Sequence, residues 1–441
     1  MEARPRATAS LEPPVGNYFV STYPPFACWD DRGKAAFRRR LDDTVPSTEA
    51  APLGLYIHIP FCAERCRFCY HLSHDDRSAE IDRYLDALTG ELSRYGETPR
   101  LAGRKPESVY FGGGTPSLLS TSRLEKLLHA VQRVFPWTAV REATFECAPK
   151  SVTQAKCRAL HEAGITRVSL GVQQLDDEVL RRNGRIHLVR DVERAYEAIR
   201  GAGFDLINVD LMTGLEGQTD ESFDRGLDRV IELSPESVTI YQLEIPFNTP
   251  LYRAIQSGAS STDPTPWAER HARLARGLSR LEASGYTVRS AYAAVRDPNR
   301  HRFVHQEEQY RGADLLGVGV ASFSYLDGVH QQNLGTLERY LEALADSHLP
   351  LGRGHRLSAA ERLVREFVLQ LKLGAVDAND FRIKFGEEIS ECFAGALSHF
   401  VNQGWVTVDD EVVKLTREGL LRVDRLIPAF YLPQHQGVRY S

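Results

Sequence analysis

The sequence predicts an α/β protein built on a parallel sheet, either a barrel or part of one, with a smaller module at its C-terminal end. Between about residues 53 and 250, six short apolar runs alternate with amphipathic helical stretches, the pattern of repeated βα units. Residues 356–441 run helix, helix, two short strands and helix, the order of a winged-helix module. The chain, at 441 residues, is long enough for one large catalytic domain and an accessory one.

The elements follow in order. Residues 1–50, rich in Pro, Arg and Ala, read as an extended lead-in. Within it, Tyr18, Phe19, Tyr23, Phe26 and Trp29 crowd one stretch. That density predicts a strap packed over the main domain, the alternative being a segment that lines the substrate pocket. Strands are expected at 54–59, 108–111, 142–146, 167–172, 206–211 and 237–241, where β-branched and aromatic residues cluster. Helices are expected at 81–95, 121–134, 153–163, 190–202, 222–233 and 267–284 from their 3.6-residue apolar period. A less regular region with an aromatic and histidine cluster follows near 301–310. The catalytic domain with its extension is taken as 51–355 and the winged-helix-like domain as 356–441, with strands at 405–408 and 412–415.

Bulk properties narrow the function. The net charge of -5 and pI of about 6.3 argue against a general nucleic-acid binder, which presents a basic surface. No run of about twenty apolar residues suggests a membrane span. The start, Met1 to Pro5, lacks an apolar signal core. Seven cysteines in so long a chain do not make a disulfide scaffold. The expectation is a cytoplasmic protein acting on a small molecule.

Three of those cysteines, Cys62, Cys66 and Cys69, are spaced Cys-x3-Cys-x2-Cys just after the first strand. Thiolates at this density hold metal. On a four-iron cluster, three thiolates leave one iron open to a further ligand. Zinc prefers four ligands, and no second Cys pair at short spacing exists here; a zinc site and three unrelated thiols remain the alternatives. The second strand runs directly into Gly112, Gly113, Gly114, Thr115, Pro116 and Ser117. Without side chains, that turn can bring its amides close to a ligand. Polar residues mark the following strand ends: Glu146 after the third, Gln173 and Arg185 around the fourth, Asp210 within the fifth. A carboxylate inside an apolar strand is costly unless paired. Together they suit a zwitterionic ligand carrying a ribose, with Arg for a carboxylate and acids for an ammonium or hydroxyls.

These residues carry a family resemblance. The cysteine triplet resembles the cluster motif of the radical S-adenosylmethionine enzymes. The segments Tyr56–Cys62, Tyr110–Ser117, Ser169–Gln173 and Asn208–Leu211 resemble oxygen-independent coproporphyrinogen III oxidase and its relatives, over roughly residues 52–255 and more weakly through the C-terminal module. The resemblance implies a partial (β/α)6 barrel of radical SAM type. It implies a [4Fe–4S] cluster on Cys62, Cys66 and Cys69, with S-adenosylmethionine chelating the open iron. Gly113, Gly114, Thr115, Tyr56, Glu146, Gln173, Arg185 and Asp210 match cofactor-contacting positions. It further implies a second S-adenosylmethionine and a one-electron donor such as flavodoxin or ferredoxin.

The sequence also departs from the oxidase. Tyr70 and His71 follow the triplet where the oxidase carries a further cysteine and the haem-chaperone relatives an Asp-Phe pair. This departure leads to the expectation of a class C-like methyltransferase or cyclopropanase, adding a one-carbon unit to an sp2 carbon. Coproporphyrinogen oxidation and haem carriage are the alternatives. Candidates for a catalytic base are His58, His71, Tyr241, Glu244 and His305.

Overall fold

The computed structural model describes residues 20–44, 51–69, 78–245, 249–257 and 265–438. Its centre is a 12-stranded sheet: β1 (Leu53–Ile59), β2 (Ser108–Gly113), β3 (Glu142–Cys147), β4 (Arg167–Gln173), β5 (Leu206–Thr213), β6 (Ser237–Gln242), β7 (Thr287–Val288), β8 (Ala293–Val295), β9 (Asp314–Val318), β10 (Phe323–Leu326), β11 (Val329–Asn333) and β12 (Leu351–Arg356). The spatial order is β12-β11-β10-β9-β1-β2-β3-β4-β5-β6-β8-β7. Strands β1 to β6 pair in parallel, as expected. A strand absent from the sequence reading, β9, adds a seventh parallel member beside β1. Antiparallel strands finish both edges.

Alternation along the parallel strands separates two faces. One face is apolar: Leu55, Ile57, Val109, Phe111, Phe145, Val168, Leu170, Ile207, Val209, Val238 and Ile240 are all buried. They form one core with the helices Ser78–Gly96, Thr121–Val134, Gln154–Glu162, Val189–Gly201, Asp220–Leu233 and Trp267–Ala283. The other face carries Tyr56, His58, Tyr110, Glu146, Ser169, Asn208, Asp210 and Thr239, which bond along β1 and β5 (Tyr56–His58, Asn208–Asp210) and across strands (Tyr110–Glu146, Ser169–Asp210, Asn208–Thr239). Parallel strands buried on both sides normally read as continuous apolar runs. The polar alternation here marks a lumen rather than a second core.

The lead-in is not extended throughout. Asp31–Asp42 forms a helix capped by the Asp30 side chain. Its apolar positions Ala36, Phe37 and Leu41 are buried. Backbone meets backbone where this helix crosses β12: a Cβ on Gly33 would lie 1.9 Å from the Gly354 carbonyl carbon. The preceding aromatics do pack as a strap. Phe26 stacks on Phe323 at 4.6 Å, Trp29 on His330 at 4.8 Å, and Tyr23 lies 4.8 Å from Tyr431. Tyr18 and Phe19 fall outside the described residues.

The C-terminal module has its expected hairpin, β14 (Val406–Val408) with β15 (Val412–Leu415), and a third strand, β13 (Ala375–Asp377). Its core also takes in Val20, Tyr23, Tyr292 and Tyr310. At this junction the fully buried Lys372 ammonium pairs with Asp424 at 3.0 Å and donates to the Val20 carbonyl at 2.5 Å. One side chain thus ties strap and module together. Its ammonium also sits 5.0 Å from the Tyr292 ring of the sheet domain. Among the described residues no helix is long and apolar enough to cross a membrane.

Candidate active site at the carboxyl ends of the parallel strands

In parallel α/β folds, ligands gather where strands end and loops begin. The cysteine loop leaves the end of β1, and the glycine turn at the end of β2 packs directly on it. Gly114 N donates to the Ile59 carbonyl at 2.8 Å, and Thr115 N to the Phe61 carbonyl at 2.8 Å. Each glycine is needed for close approach. A Cβ on Gly112 would meet the Tyr110 ring at 2.7 Å and the Glu146 carboxyl at 3.0 Å. On Gly113 (φ +117) it would strike the His58 ring at 2.6 Å, and on Gly114 the Phe61 carbonyl at 2.7 Å. Protein packing, as well as room for a ligand, therefore explains the three glycines.

Cys62, Cys66 and Cys69 form no disulfide and are partly buried. The Thr115 hydroxyl lies 3.4 Å from the Cys62 sulfur, and Arg185 Nη1 donates to the Cys66 sulfur at 3.3 Å. Burial pushes the Cys62 thiol up. Among the described residues, no three His, Cys, Asp or Glu side chains gather tightly enough to chelate a single ion. As a donor set, three cysteines suit a four-iron cluster that leaves one iron open better than zinc, which takes four ligands.

Two carboxylates face the lumen beside this loop. Glu146 accepts from the Tyr110 hydroxyl at 2.6 Å and from Gly113 N at 3.1 Å. Burial, with repulsion from Asp210 adding to it, raises its pKa to about 7. Asp210 accepts from the Ser169 hydroxyl at 2.9 Å and the Asn208 amide at 2.8 Å, and burial raises it to about 6. These hydrogen-bond partners are all neutral. Two half-buried acids hydrogen-bonded to no cation suit a positively charged ligand, and S-adenosylmethionine brings a sulfonium and an ammonium.

Across from them, Arg185 Nη2 donates to the Gly171 carbonyl at 2.6 Å while its Nε stays buried without a partner, free for a ligand carboxylate. Gln173 ends β4 in the left-handed region, φ 67, a strained conformation that turns the chain away from the sheet. The donor set, the two half-buried acids and the orphaned guanidinium nitrogen together fit a cluster with S-adenosylmethionine.

The remaining candidates scatter. His58 accompanies the site: its Nδ1 lies 3.1 Å from the Tyr56 hydroxyl and its ring against Gly113. Tyr241 is the last residue but one of β6, the large aromatic most open to solvent among the described residues, stacked on Tyr292 at 6.1 Å. Glu244 follows β6, where its charge acts on Arg270 and Lys372. His305 sits elsewhere. The region expected to be irregular holds a helix, Val304–Tyr310, that plugs the opposite end of the lumen. There His305 Nδ1 meets the Ser108 hydroxyl at 2.9 Å at the start of β2, and Glu142 accepts its backbone N–H. Burial lowers its pKa to about 3, so it is a neutral floor residue and not a base at the strand ends. His71 lies outside the described residues. Tyr110, not singled out from the sequence, emerges as the residue that orients Glu146; its place two residues before the glycine turn is the signal that could have found it.

Fold and site define a radical S-adenosylmethionine enzyme, and a family model described as the radical SAM superfamily matches residues 56–230. A second, the HemN C-terminal domain, matches residues 357–422. The chain is 30% identical over 382 residues to the heme chaperone HemW of Bacillus subtilis, covering 85% of this chain and 98% of that protein. It is 30% identical over 419 residues to coproporphyrinogen III oxidase, anaerobic 1, of Cereibacter sphaeroides, covering 89% of each. Its fold matches coproporphyrinogen III oxidase HemN from Escherichia coli with a TM-score of 0.82 at 27% identity, over 93% of this chain and 96% of that one. The chain belongs to the HemN/HemW family of radical SAM proteins. These likenesses lend no support to the methyltransferase or cyclopropanase branch.

Proposed function

We propose that this protein acts on a tetrapyrrole or a closely related conjugated carboxylic acid, by hydrogen abstraction at a carbon held in the lumen. The observation that carries the reading is the whole-length likeness to coproporphyrinogen oxidases and HemW, C-terminal domain included. Cluster and cofactor supply, when bound, a carbon radical made by one-electron cleavage of the sulfonium.

The protein's own residues do the rest. Cys62, Cys66 and Cys69 hold the cluster. Arg185 and Gln173 take the cofactor's amino-acid end, Gly113, Gly114 and Thr115 offer backbone to it, and Glu146 and Asp210 compensate its positive charge and bind its hydroxyls. The Tyr110–Glu146 bond of 2.6 Å fixes that carboxylate before the ligand arrives, which lowers the cost of binding. His58, held by Tyr56, is the titratable group beside the glycine turn and the candidate proton acceptor. Tyr241 and Glu244 sit on the substrate side, and residues 356–441 cap the catalytic part, 51–355. A flavodoxin- or ferredoxin-like donor supplies the electron.

A one-carbon transfer using a second S-adenosylmethionine is the second reading, and Tyr70 with His71 in place of a further cysteine favours it. Haem carriage, from the likeness to HemW, is the third. One experiment separates them: anaerobically reconstituted protein with coproporphyrinogen III and methyl-deuterated cofactor. The leading reading expects a tetrapyrrole that has lost carboxyl carbon and gained no deuterated carbon. A deuterated product would replace it with carbon transfer. Tight stoichiometric haem binding without cofactor turnover would replace it with carriage.

A further inference from the structure

The middle of the cysteine loop is clamped by three other segments through one residue, by its side chain and its backbone. Arg67, between Cys66 and Cys69, sends Nη1 to the Glu216 carboxylate at 2.7 Å and to the Arg182 carbonyl at 3.0 Å. Its backbone N donates to the Asn183 carbonyl at 3.2 Å, and its carbonyl accepts from Leu251 N at 2.8 Å. Asn183, itself 1% exposed, completes the bracket: its amide donates to the Glu216 carbonyl at 3.0 Å and accepts from Glu216 N at 3.1 Å. Gly184 takes the left-handed conformation (φ +72) that this turn requires, packed in ordinary contact with Arg67. The loops after β4 and β5 and the helix Pro250–Gln256 thus converge on Arg67. Arg185, next in line, reaches the neighbouring Cys66 sulfur.

The geometry points to Arg67 as the positioning residue of the cysteine loop. Held by Glu216 and the Arg182 carbonyl, it fixes the Cys66–Cys69 half in place before any cluster is bound, and it ties that half to the segment at 249–257 beyond β6. A short loop of three thiols is otherwise free to explore many arrangements, and each residue ordered in advance removes entropy from the cost of assembly. Both side-chain contacts leave one nitrogen, Nη1, so a lysine ammonium keeps the charge and enough donors but must reach both acceptors on a shorter arm, which makes R67K a partial substitute.

The inference rests on the cysteines being the cluster ligands, and its test separates the two. In cluster-free protein, hydrogen–deuterium exchange is measured over 62–69 and at Leu251 for wild type, R67A, R67K, E216Q and C66A. R67A is expected to speed exchange at both places by about tenfold, with R67K and E216Q in between and C66A close to wild type. After anaerobic reconstitution, R67A is expected to take up less iron per chain and to show a shifted cluster reduction potential, with partial rescue in R67K. Unchanged exchange, iron content and potential in R67A overturn the bracket. Should R67A fail to fold, E216Q, which removes the charge and keeps the shape, decides the matter by the same readouts. Full iron in C66A would instead overturn the ligand assignment and leave the exchange result standing.

Discussion

Replacing Glu146 by Gln should make the cluster-free protein more stable at pH 8 while impairing cofactor cleavage. The carboxyl is partly buried, and its pKa is raised from 4.5 to about 7, chiefly by desolvation. At about 1.4 kcal/mol per pH unit, that preference for the neutral acid amounts to about 3 kcal/mol. Below pH 4.5 the group is protonated in the folded and unfolded states alike and costs nothing. As pH rises from 4.5 to 7 the unfolded chain ionises first, so folded stability falls. Above 7 the full penalty persists. Glutamine never ionises, and its amide can accept from Gly113 N and donate to the Tyr110 oxygen.

The assay is thermal unfolding of cluster-free wild type and E146Q at pH 5 and pH 8. The variant should gain on wild type between the two, by up to about 3 kcal/mol, and should lose most 5′-deoxyadenosine formation once reconstituted. A site that weakens the fold until its ligand arrives has this signature. E146Q losing ground at pH 8 would refute the reasoning, because the carboxylate would then be a structural anion. Full cofactor cleavage by E146Q would remove it from the cofactor site.

Other outcomes follow from the same geometry. G113A places a Cβ 2.6 Å from the His58 ring at φ +117, so it should cost about 2 kcal/mol or more in denaturant unfolding and abolish cofactor cleavage. Y110F removes the 2.6 Å bond to Glu146 and should destabilise by about 1–3 kcal/mol. Its loss should be greatest above pH 7, where the carboxylate is ionised. K372A leaves Asp424 without its ammonium at the junction of strap and module and should cost about 3–5 kcal/mol, read as a lowered first transition in calorimetry.

The six parallel strands and their helices were legible because both periods, two and 3.6, run for whole elements. What escaped was short or context-dependent. Strands β7 and β8, of two and three residues, are too brief to show alternation. Strand β9 is identifiable only through its pairing with β1. The helix Asp31–Asp42 hides in an Arg-rich stretch whose buried positions are Ala36, Phe37 and Leu41 beside Gly33.

Site residues divide the same way. The cysteines, the glycine turn and Glu146 stand at or just after strand ends, and Asp210 is an acid inside an apolar strand, which sequence order reveals. His305 looked equivalent in sequence, but its helix enters the lumen from the other end. Arg67 was invisible because its partner Glu216 lies 149 residues away. The methyl-transfer expectation came from residues 70 and 71, which fall outside the described residues, and the whole-length likeness favours tetrapyrrole chemistry instead.

The most direct test of the account is electron paramagnetic resonance of the anaerobically reconstituted, reduced protein with and without S-adenosylmethionine. Three cysteines and an open iron predict a [4Fe–4S] signal that changes on adding the cofactor and disappears in the Cys62→Ala, Cys66→Ala and Cys69→Ala variants. A cluster signal indifferent to the cofactor, or one that survives loss of these cysteines, would contradict it.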